Sequence, residues 1–244
     1  MISERMVRIL RLLRPTEGSD TIADVVTTAG ARVLGVDGLA VSLVTEGDHA
    51  ELLWCSDTTT RRFEDLQFTL GEGPGPDVLR SGAMVWAPDL AQTPLTRWPA
   101  LAMEAPALDA RAVFCFPMGI GAINVGVLTA VRRAPGPMSA QQADDATILA
   151  AALTARCMGG GTPLPGAPLP EGSPRFLQHA VVHQATGMLS VQLALSLPQA
   201  LLRLRAHAYG SGRSLTDIAR DVVDRRLRLD PGGTGPSATA PDKD

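Results

Sequence analysis

The residues best suited to chemistry in this chain are arginines and histidines gathered near its C-terminal end. Residues 173–229 contain eight Arg and three Asp, whereas residues 1–172 contain thirteen Arg and nineteen Asp or Glu. A basic segment attached to an acidic body favours contact with a nucleic acid, because phosphates attract cations. Arg203 and His207 are four residues apart, so on a helix they share a face that can follow a nucleic-acid backbone.

A metal site is the other chemistry that the histidines suggest. His179 and His183 lie four residues apart, which is the spacing of paired zinc ligands on a helix. No Glu lies between them and no third ligand is nearby, so we expect a polar helix face and no metal. Cys55, Cys115 and Cys157 form no Cys-x-x-Cys pair, and we expect neither a zinc site nor a disulfide framework. No Ser-His-Asp or paired-carboxylate pattern indicates an enzyme.

The distribution of Pro and Gly divides the chain into domains. Residues 159–174 contain five prolines and five glycines, which neither a helix nor a central strand tolerates. We therefore predict a first domain at 1–158, a linker at 159–173 and a second domain at 174–229. The tail, 230–244, is rich in Pro, Gly, Ser and Thr and is predicted to be disordered.

The sequence contains no apolar run long enough to cross a membrane. Arginines recur every third residue through the first fourteen positions, unlike the uninterrupted apolar core of a signal peptide. We therefore expect a cytoplasmic protein that does not enter a membrane.

The first domain mixes helical and strand periodicities. Hairpins dominate and crossover helices are few, so an α+β domain with an antiparallel sheet covered by helices is favoured over a parallel doubly wound fold. Helices are predicted at 2–13, 20–34, 73–80 and 139–157. Strands are predicted at 38–44, 50–55, 63–69, 84–87, 112–118 and 126–132.

Several segments of this domain resemble GAF domains over about residues 20–157. The segments are Leu70–Gly82, Val85–Leu90, Arg97–Pro99, Arg111–Met118 and Gly126–Leu128. The resemblance implies a sensor of small molecules or redox state, often dimeric, whose ligand the sequence does not identify. The glycines at 71, 73 and 75 lack the Gly-Lys-Ser/Thr ending of a phosphate-binding loop, so a tight turn is expected there.

The second domain is predicted to be all helical, with helices at 176–193, 196–209 and 215–227. Its segments Gln184–Leu189, Gln199–Ala208 and Ser214–Val223 resemble the ANTAR domain. The resemblance implies a three-helix domain that binds paired RNA stem-loops in nascent transcripts and prevents termination. A GAF domain followed by an ANTAR domain is a known arrangement in regulators of actinobacterial type, and it implies an RNA-binding homodimer controlled by a small-molecule effector.

The resemblance also suggests which residues contact RNA. Arg205 matches the arginine that ends the conserved part of the second helix, and Arg213 lies in a turn that is often basic. An arginine can pair bidentately with phosphate or guanine, and loop bases can stack on its plane. Thr186 replaces a common Lys, whose contact is then lost, weakened or taken over by His183. The candidate RNA contacts are Arg205, Arg213, His183, Thr186, Arg203 and His207.

Gly187 lies in the middle of the first of these helices. Glycine there costs about 1 kcal/mol relative to alanine. We expect either close helix packing or a nearby RNA strand to favour it.

Two other functions remain open from the sequence. A DNA-binding helix-turn-helix protein also has three short helices, although here Arg225, Arg226 and Arg228 lie at the end of the third helix. Thr216 and Asp217 occupy its first turn, where base-reading residues usually lie. The third possibility is a small-molecule sensor whose C-terminal helices only dimerise.

Overall fold

The structure is a computed structural model that describes residues 2–12, 22–45, 49–121, 123–158 and 179–230. The chain divides into two compact units, 1–175 and 176–244, which are called the sheet domain and the helical domain. The predicted linker at 159–173 lies outside the described residues, as do all residues of the predicted tail after Asp230.

The sheet domain is built on five antiparallel strands in the spatial order β2-β1-β5-β4-β3. The β1–β2 and β4–β5 pairs are hairpins, and β5 returns to pair with β1 in the centre of the sheet. The strands are β1 (Gly38–Thr45), β2 (His49–Cys55), β3 (Val85–Ala87), β4 (Ala112–Ile120) and β5 (Ile123–Arg132).

Helices cover both faces of this sheet. On one face α2 contacts β1 and α6 contacts β4, while on the other α3 and α4 contact the sheet and α5 packs on α3. The helices are α1 (Glu4–Leu12), α2 (Ile22–Leu34), α3 (Thr58–Leu70), α4 (Pro74–Ser81), α5 (Pro99–Glu104) and α6 (Ala140–Met158). Short 3₁₀ turns occupy Leu90–Gln92 and Ala105–Leu108.

The alternation of side chains along β4 builds two apolar layers. Val113 and Cys115 belong to a buried cluster with Phe63 of α3 and Trp98 beside α5. Phe114, next in the strand, is fully buried and meets Trp86 edge-to-face at 6.1 Å between ring centroids. The sheet is therefore buried on both sides, as the apolar sequence of its central strands predicts.

The predicted strand at 63–69 is wrong, because these residues belong to α3. The Asp57 side chain accepts a hydrogen bond from the Thr60 amide at 3.0 Å and so caps the helix. Gly71 ends it in a left-handed conformation, with φ of 70°. Helical spacing is visible in the buried positions, which are Thr60, Phe63, Glu64, Gln67 and Phe68.

The first helix covers its own domain. Ser3 caps α1 by accepting a hydrogen bond from the Met6 amide, and the Ser3 amide donates to Asp145 of α6 at 3.0 Å. Met6 and Ile9 are buried, and α1 contacts α2 and α6. The arginines of α1 therefore lie on a helix that is anchored through its apolar side.

The helical domain contains α7 (Ala180–Leu193), α8 (Leu197–Ser211) and α9 (Leu215–Val223), each in contact with the other two. The third helix ends four residues before its predicted end, and Arg225 there takes a left-handed φ of 60°. Among the described helices, none alone is long and apolar enough to cross a membrane. Only α7 and α8 taken together, bent by 107°, meet that criterion of length and composition.

Candidate nucleic-acid interface

Local sequence signals fix the three helices of the helical domain. Ser196 donates its amide to Gln199 Oε1 at 3.0 Å at the start of α8, and Pro198 follows in the first turn. Gly212 ends α8 with φ of 64°. Ser214 then accepts the Asp217 amide at 3.0 Å and starts α9. Only three residues separate α8 from α9, so their orientation is set by these caps.

The interior of the helical domain is made of small and branched apolar side chains. Alanines at 185, 200, 208 and 219 are buried, and they allow the helices to approach closely. The larger buried residues are Val182, Leu189, Leu201, Leu204, Leu215, Ile218 and Val222. The polar residues His179 and Thr186 are buried as well, whereas the arginines of the helical domain are half-buried or exposed.

The surface of α8 is cationic. Neither α7 nor α8 contains an Asp or Glu, whereas α8 carries Arg203, Arg205 and His207. Arg205 is half-buried, and so are Arg203 and His207. A helix with this composition presents positive charge to solvent without a compensating carboxylate of its own, which suits contact with phosphates.

Arg203 already has a role within the domain. Its guanidinium donates to the main-chain oxygen of Asp230 at 2.8 Å. Gln192 of α7 makes the neighbouring contact, donating its amide to the main-chain oxygen of Leu229 at 3.0 Å. Leu229 itself is buried. Residues 224–230 therefore return across α7 and α8, and this segment is called the C-terminal strap.

Arg213 is exposed and forms an ion pair with Asp221 of α9 at 2.6 Å. Asp221 also accepts from Arg226 Nε at 2.9 Å, and Arg226 reaches Asp224 at 2.8 Å. Hydrogen bonds from Arg213 and then Arg226 lower the pKa of the Asp221 carboxyl below its ordinary value. One carboxylate thus partly neutralises Arg213, a predicted RNA contact, together with Arg226.

The predicted contact at Thr186 is not supported by its position. Its side chain is only 5% exposed, and its hydroxyl donates to the main-chain oxygen of Val182 at 2.7 Å. A β-branched residue that bonds back to the preceding turn can be buried where a lysine cannot. His183, one turn earlier, is half-buried and so remains accessible, whereas His179 is buried at the start of α7.

Gly187 is not explained by packing within the described helical domain. A Cβ atom built at this position meets nothing within 4 Å. The expectation of close helix packing is therefore wrong for this residue. The other expectation, a nearby RNA strand, stays a prediction.

The sheet domain holds an unusual polar chain in its core. Glu64 of α3 accepts from Ser42 Oγ at 2.7 Å and from Gln67 Nε2 at 3.0 Å. Gln67 in turn accepts from the Gly75 amide at 2.8 Å. Burial raises the pKa of the Glu64 carboxyl above its ordinary value. The chain joins the centre of the sheet to the glycine-rich turn, whose Gly75 amide is thus used internally rather than for a phosphate.

A cleft of about 280 Å³ opens between the 3₁₀ turns and α5. Its wall is mostly apolar, with Leu90, Trp98, Leu101 and Ala105 among the lining residues. Arg111 lies at the cleft and is held by Asp89 at 3.2 Å. Its size and apolar lining suit a small molecule with few polar groups.

The cysteines are poorly placed for thiolate chemistry. Burial raises the pKa of the Cys157 thiol to about 11 and that of Cys115 still further. Burial also raises the pKa of Cys55, which is half-buried. Within the described ranges no three His, Cys, Asp or Glu side chains are grouped so as to hold a metal ion.

Sequence reasoning missed two features of this interface. Leu202 and Tyr209 are exposed on α8, although an apolar face of a short helix normally turns inward. The sequence did contain a signal for this exposure, because α8 has more apolar residues than one buried face can hold. The second feature is Asp221, whose partner Arg213 is eight residues away across a turn and a helix start.

Both domains are similar to known proteins. Residues 175–223 match the family model of the ANTAR domain, a range that includes α7, α8 and α9. The chain is similar to the crystal structure of the GAF domain from an Acinetobacter phosphoenolpyruvate-protein phosphotransferase, with 16% identity and a TM-score of 0.51, covering 63% of this chain and 90% of that chain. The GAF domain from the corresponding Coxiella burnetii protein has 15% identity and a TM-score of 0.50, covering 63% and 94%. A search of curated proteins finds no match.

These likenesses confirm the predicted fold class. The N-terminal domain has the GAF fold, a five-stranded antiparallel sheet covered by helices, and an all-α three-helix ANTAR domain follows it. The ANTAR match concerns residues 175–223, and the likeness to GAF domains shows the fold of the N-terminal domain. The actinobacterial type implied by the sequence stays a prediction.

Proposed function

We propose that this chain is a cytoplasmic, non-enzymatic regulator that prevents transcription termination by binding paired stem-loops in nascent RNA. The observation that carries the proposal is the match of α7–α9 to the ANTAR domain, a family of RNA-binding antitermination regulators. The surface of α8 supports it, because this helix bears two arginines and a histidine and no carboxylate.

The mechanism is steric and thermodynamic. A helical domain bound to a stem-loop stabilises an RNA arrangement that excludes the terminator hairpin. In a homodimer, two helical domains engage two stem-loops, and the second contact gains from its high effective concentration. A small-molecule effector in the sheet domain shifts the population of binding-competent molecules, and the apolar cleft beside α5 is a suitable place for it.

The proposed RNA contacts differ in how directly they can act. Arg205, His207 and His183 are half-buried on α7 and α8, and Arg205 and His183 also have interactions within the protein. Arg203 and Arg213 can reach RNA only by exchanging the Asp230 main-chain oxygen and the Asp221 carboxylate for phosphates. Thr186 is left out of the proposed contacts because it is buried.

A salt-titrated binding assay on the full chain tests this function. The ligands are a paired stem-loop RNA, the same RNA with scrambled loops, and duplex DNA of equal length. We expect the intact paired stem-loops to bind best, with Arg205→Ala weakening that binding about tenfold, as loss of a charged hydrogen-bonding group does. Arg205→Lys keeps the positive charge but loses the planar guanidinium that forms paired hydrogen bonds. Its affinity for the stem-loop RNA should therefore lie between those of the wild type and Arg205→Ala.

Arg80→Ala is the matched control, since it removes one exposed arginine from the sheet domain. It should leave RNA binding unchanged. Equal and steeply salt-dependent affinity for all three ligands would reduce the helical domain to a nonspecific basic surface. Preference for the DNA duplex would instead favour a helix-turn-helix protein. Dimerisation without binding to any of them would favour a sensor whose C-terminal helices only associate.

A further inference from the structure

The outward face of α8 is apolar over two turns. Leu202 is 65% exposed and Tyr209 is 66% exposed, and Ala206 lies exposed between them. The three positions are spaced by four and three residues, so they form one stripe along the helix. The buried residues Leu201, Leu204 and Ala208 lie on the other side of α8. This stripe is called the α8 stripe and consists of Leu202, Ala206 and Tyr209.

Positive charge borders the α8 stripe. Arg205 precedes Tyr209 by four residues, so the guanidinium and the phenol ring lie on neighbouring parts of the same face. In residues 179–230 the carboxylates are confined to Asp217, Asp221, Asp224 and Asp230, all beyond α8. A second copy of the same cationic face is electrostatically disfavoured as the partner. An anionic partner that also carries flat apolar surfaces is favoured.

Unpaired nucleotides have this combination of properties. Bases stack on aromatic side chains, while arginines follow the phosphates that join them. A duplex offers phosphates, 2′-hydroxyls and base edges to such a helix face but no free base faces, because its bases are already stacked on one another. The composition of the α8 stripe therefore suits an unpaired loop better than a stem.

We propose that Tyr209 is a stacking platform for an unpaired base in the loop of the bound RNA. Leu202 extends the apolar surface under the neighbouring nucleotide, and Arg205 contacts the adjoining phosphate. This inference rests on the proposed RNA-binding function and deepens it by naming the part of the RNA that α8 recognises.

Tyr209 is the only tyrosine in the chain, which makes it a single-site probe. The full chain labelled with 3-fluorotyrosine gives one fluorine resonance from this ring. We would titrate it with the paired stem-loop RNA and with a duplex RNA that has the same stems but no loops. The resonance should shift with the stem-loop RNA and stay nearly unchanged with the loopless duplex.

Affinities of three variants complete the test. Tyr209→Ala should bind the stem-loop RNA about 5- to 100-fold more weakly, as loss of base–aromatic stacking does. Tyr209→Phe retains the ring and should bind like the wild type. Val191→Ser changes a more exposed apolar residue on α7 and should also bind like the wild type. Affinity for the loopless duplex should be the same for all four proteins.

The outcomes separate this inference from the function on which it rests. If the wild type prefers the stem-loop RNA and Tyr209→Ala binds it equally well, the stacking role is overturned while the RNA-binding function stands. If the wild type has no preference for any RNA, both fall together. Sedimentation of the RNA-free proteins provides the last check. A shift toward monomer in Tyr209→Ala would show that a second copy covers the α8 stripe, and would overturn the inference.

Discussion

The two domains differ in where their polar side chains lie: inside the core in the sheet domain and at the surface in the helical domain. In the sheet domain, Glu64 and Gln67 form a hydrogen-bonded chain inside the protein, from β1 to the glycine-rich turn. In the helical domain the packed interior is made of alanine and branched apolar residues, and the cations of α8 border solvent. The sheet domain therefore keeps these polar groups inside its core, whereas the helical domain presents its arginines at the surface, where the proposed RNA would meet them.

The largest expected effect is on the small interior of the helical domain. Leu204→Ala removes a fully buried side chain from α8 and should cost about 2–5 kcal/mol of folding free energy. Little core remains to compensate, so α7–α9 should melt while the sheet domain stays folded. Far-UV circular dichroism should report the loss, and fluorescence of the three tryptophans, all in the sheet domain, should not.

Leu149→Ala in α6 is the matched change in the sheet domain. It should shift the tryptophan transition by a comparable free energy and leave the helical domain intact. If either variant moves both transitions together, the two domains unfold as one unit and the comparison fails.

Glu64→Gln tests the buried chain by its pH dependence. Because burial raises the pKa of Glu64, the folded state favours the protonated form. The stability it contributes is full below the ordinary pKa of a glutamate. Above the ordinary pKa of glutamate, the stability contributed by Glu64 falls by up to about 1.4 kcal/mol for each pH unit. It is lost once the pH passes the raised pKa of Glu64 in the folded protein. Urea unfolding of the sheet domain across this range should show the decline in the wild type and not in Glu64→Gln.

The exposed residue Glu104 supplies the control for this experiment. Glu104→Gln should follow the wild-type curve. Parallel curves for the wild type and Glu64→Gln would mean that the Glu64 carboxyl ionises inside the protein without cost, and that the polar chain does not couple to pH.

Asp221→Asn tests whether a carboxylate of the helical domain keeps the neighbouring arginines from RNA. The change releases Arg213 from its ion pair and leaves Arg226 paired with Asp224 alone, so affinity for loop-scrambled RNA should rise. The slope of log affinity against log salt should steepen by about 1 for each arginine that reaches a phosphate. Asp217→Asn, which frees only Arg220, is the matched control and should change the slope less. An unchanged slope in Asp221→Asn would show that these arginines do not approach RNA.

The smallest expected effects come from Gly187→Ala, which should raise the stability of the helical domain and lower its affinity for RNA. A methyl group meets open space there, so helix propensity alone should stabilise the helical domain by about 1 kcal/mol. The same methyl group takes the space that we assign to an approaching RNA strand, so affinity for the stem-loop RNA should fall. Thermal melting and binding assays of one protein sample measure both. Higher stability with unchanged affinity would remove Gly187 from the interface.

The sequence predicted all five strands and every helix except α3 and α5, because their signals are local. Nearly continuous apolar runs mark β4 and β5, and Ser214 with Asp217 marks the start of α9. The segment 63–69 was predicted as a strand because its apolar and polar residues alternate loosely, whereas the Asp57 cap that starts the helix lies six residues before it. The buried residues from Thr60 onward recur every three or four positions, which correctly indicates a helix.

The site was less predictable because its contacts join distant residues. Spacing within α8 places Arg203 on the surface, but only the folded chain shows that the strap returns to it from Asp230. The burial of Thr186 depends on how α8 and α9 pack on α7. Resemblance to a family identifies which positions matter, and the fold decides which of them still face outward.

The C-terminal strap has a consequence for tolerance to mutation. Gln192 and Arg203 hold main-chain oxygens of the strap, and every amino acid supplies such an oxygen. The path of this segment is therefore insensitive to the side chain at position 230, while position 229 must still supply the apolar group that is buried. Saturation mutagenesis should return a nearly flat profile at Asp230 beside a sharply selective one at Leu229, with Gln192 and Arg203 intolerant although neither belongs to the apolar core.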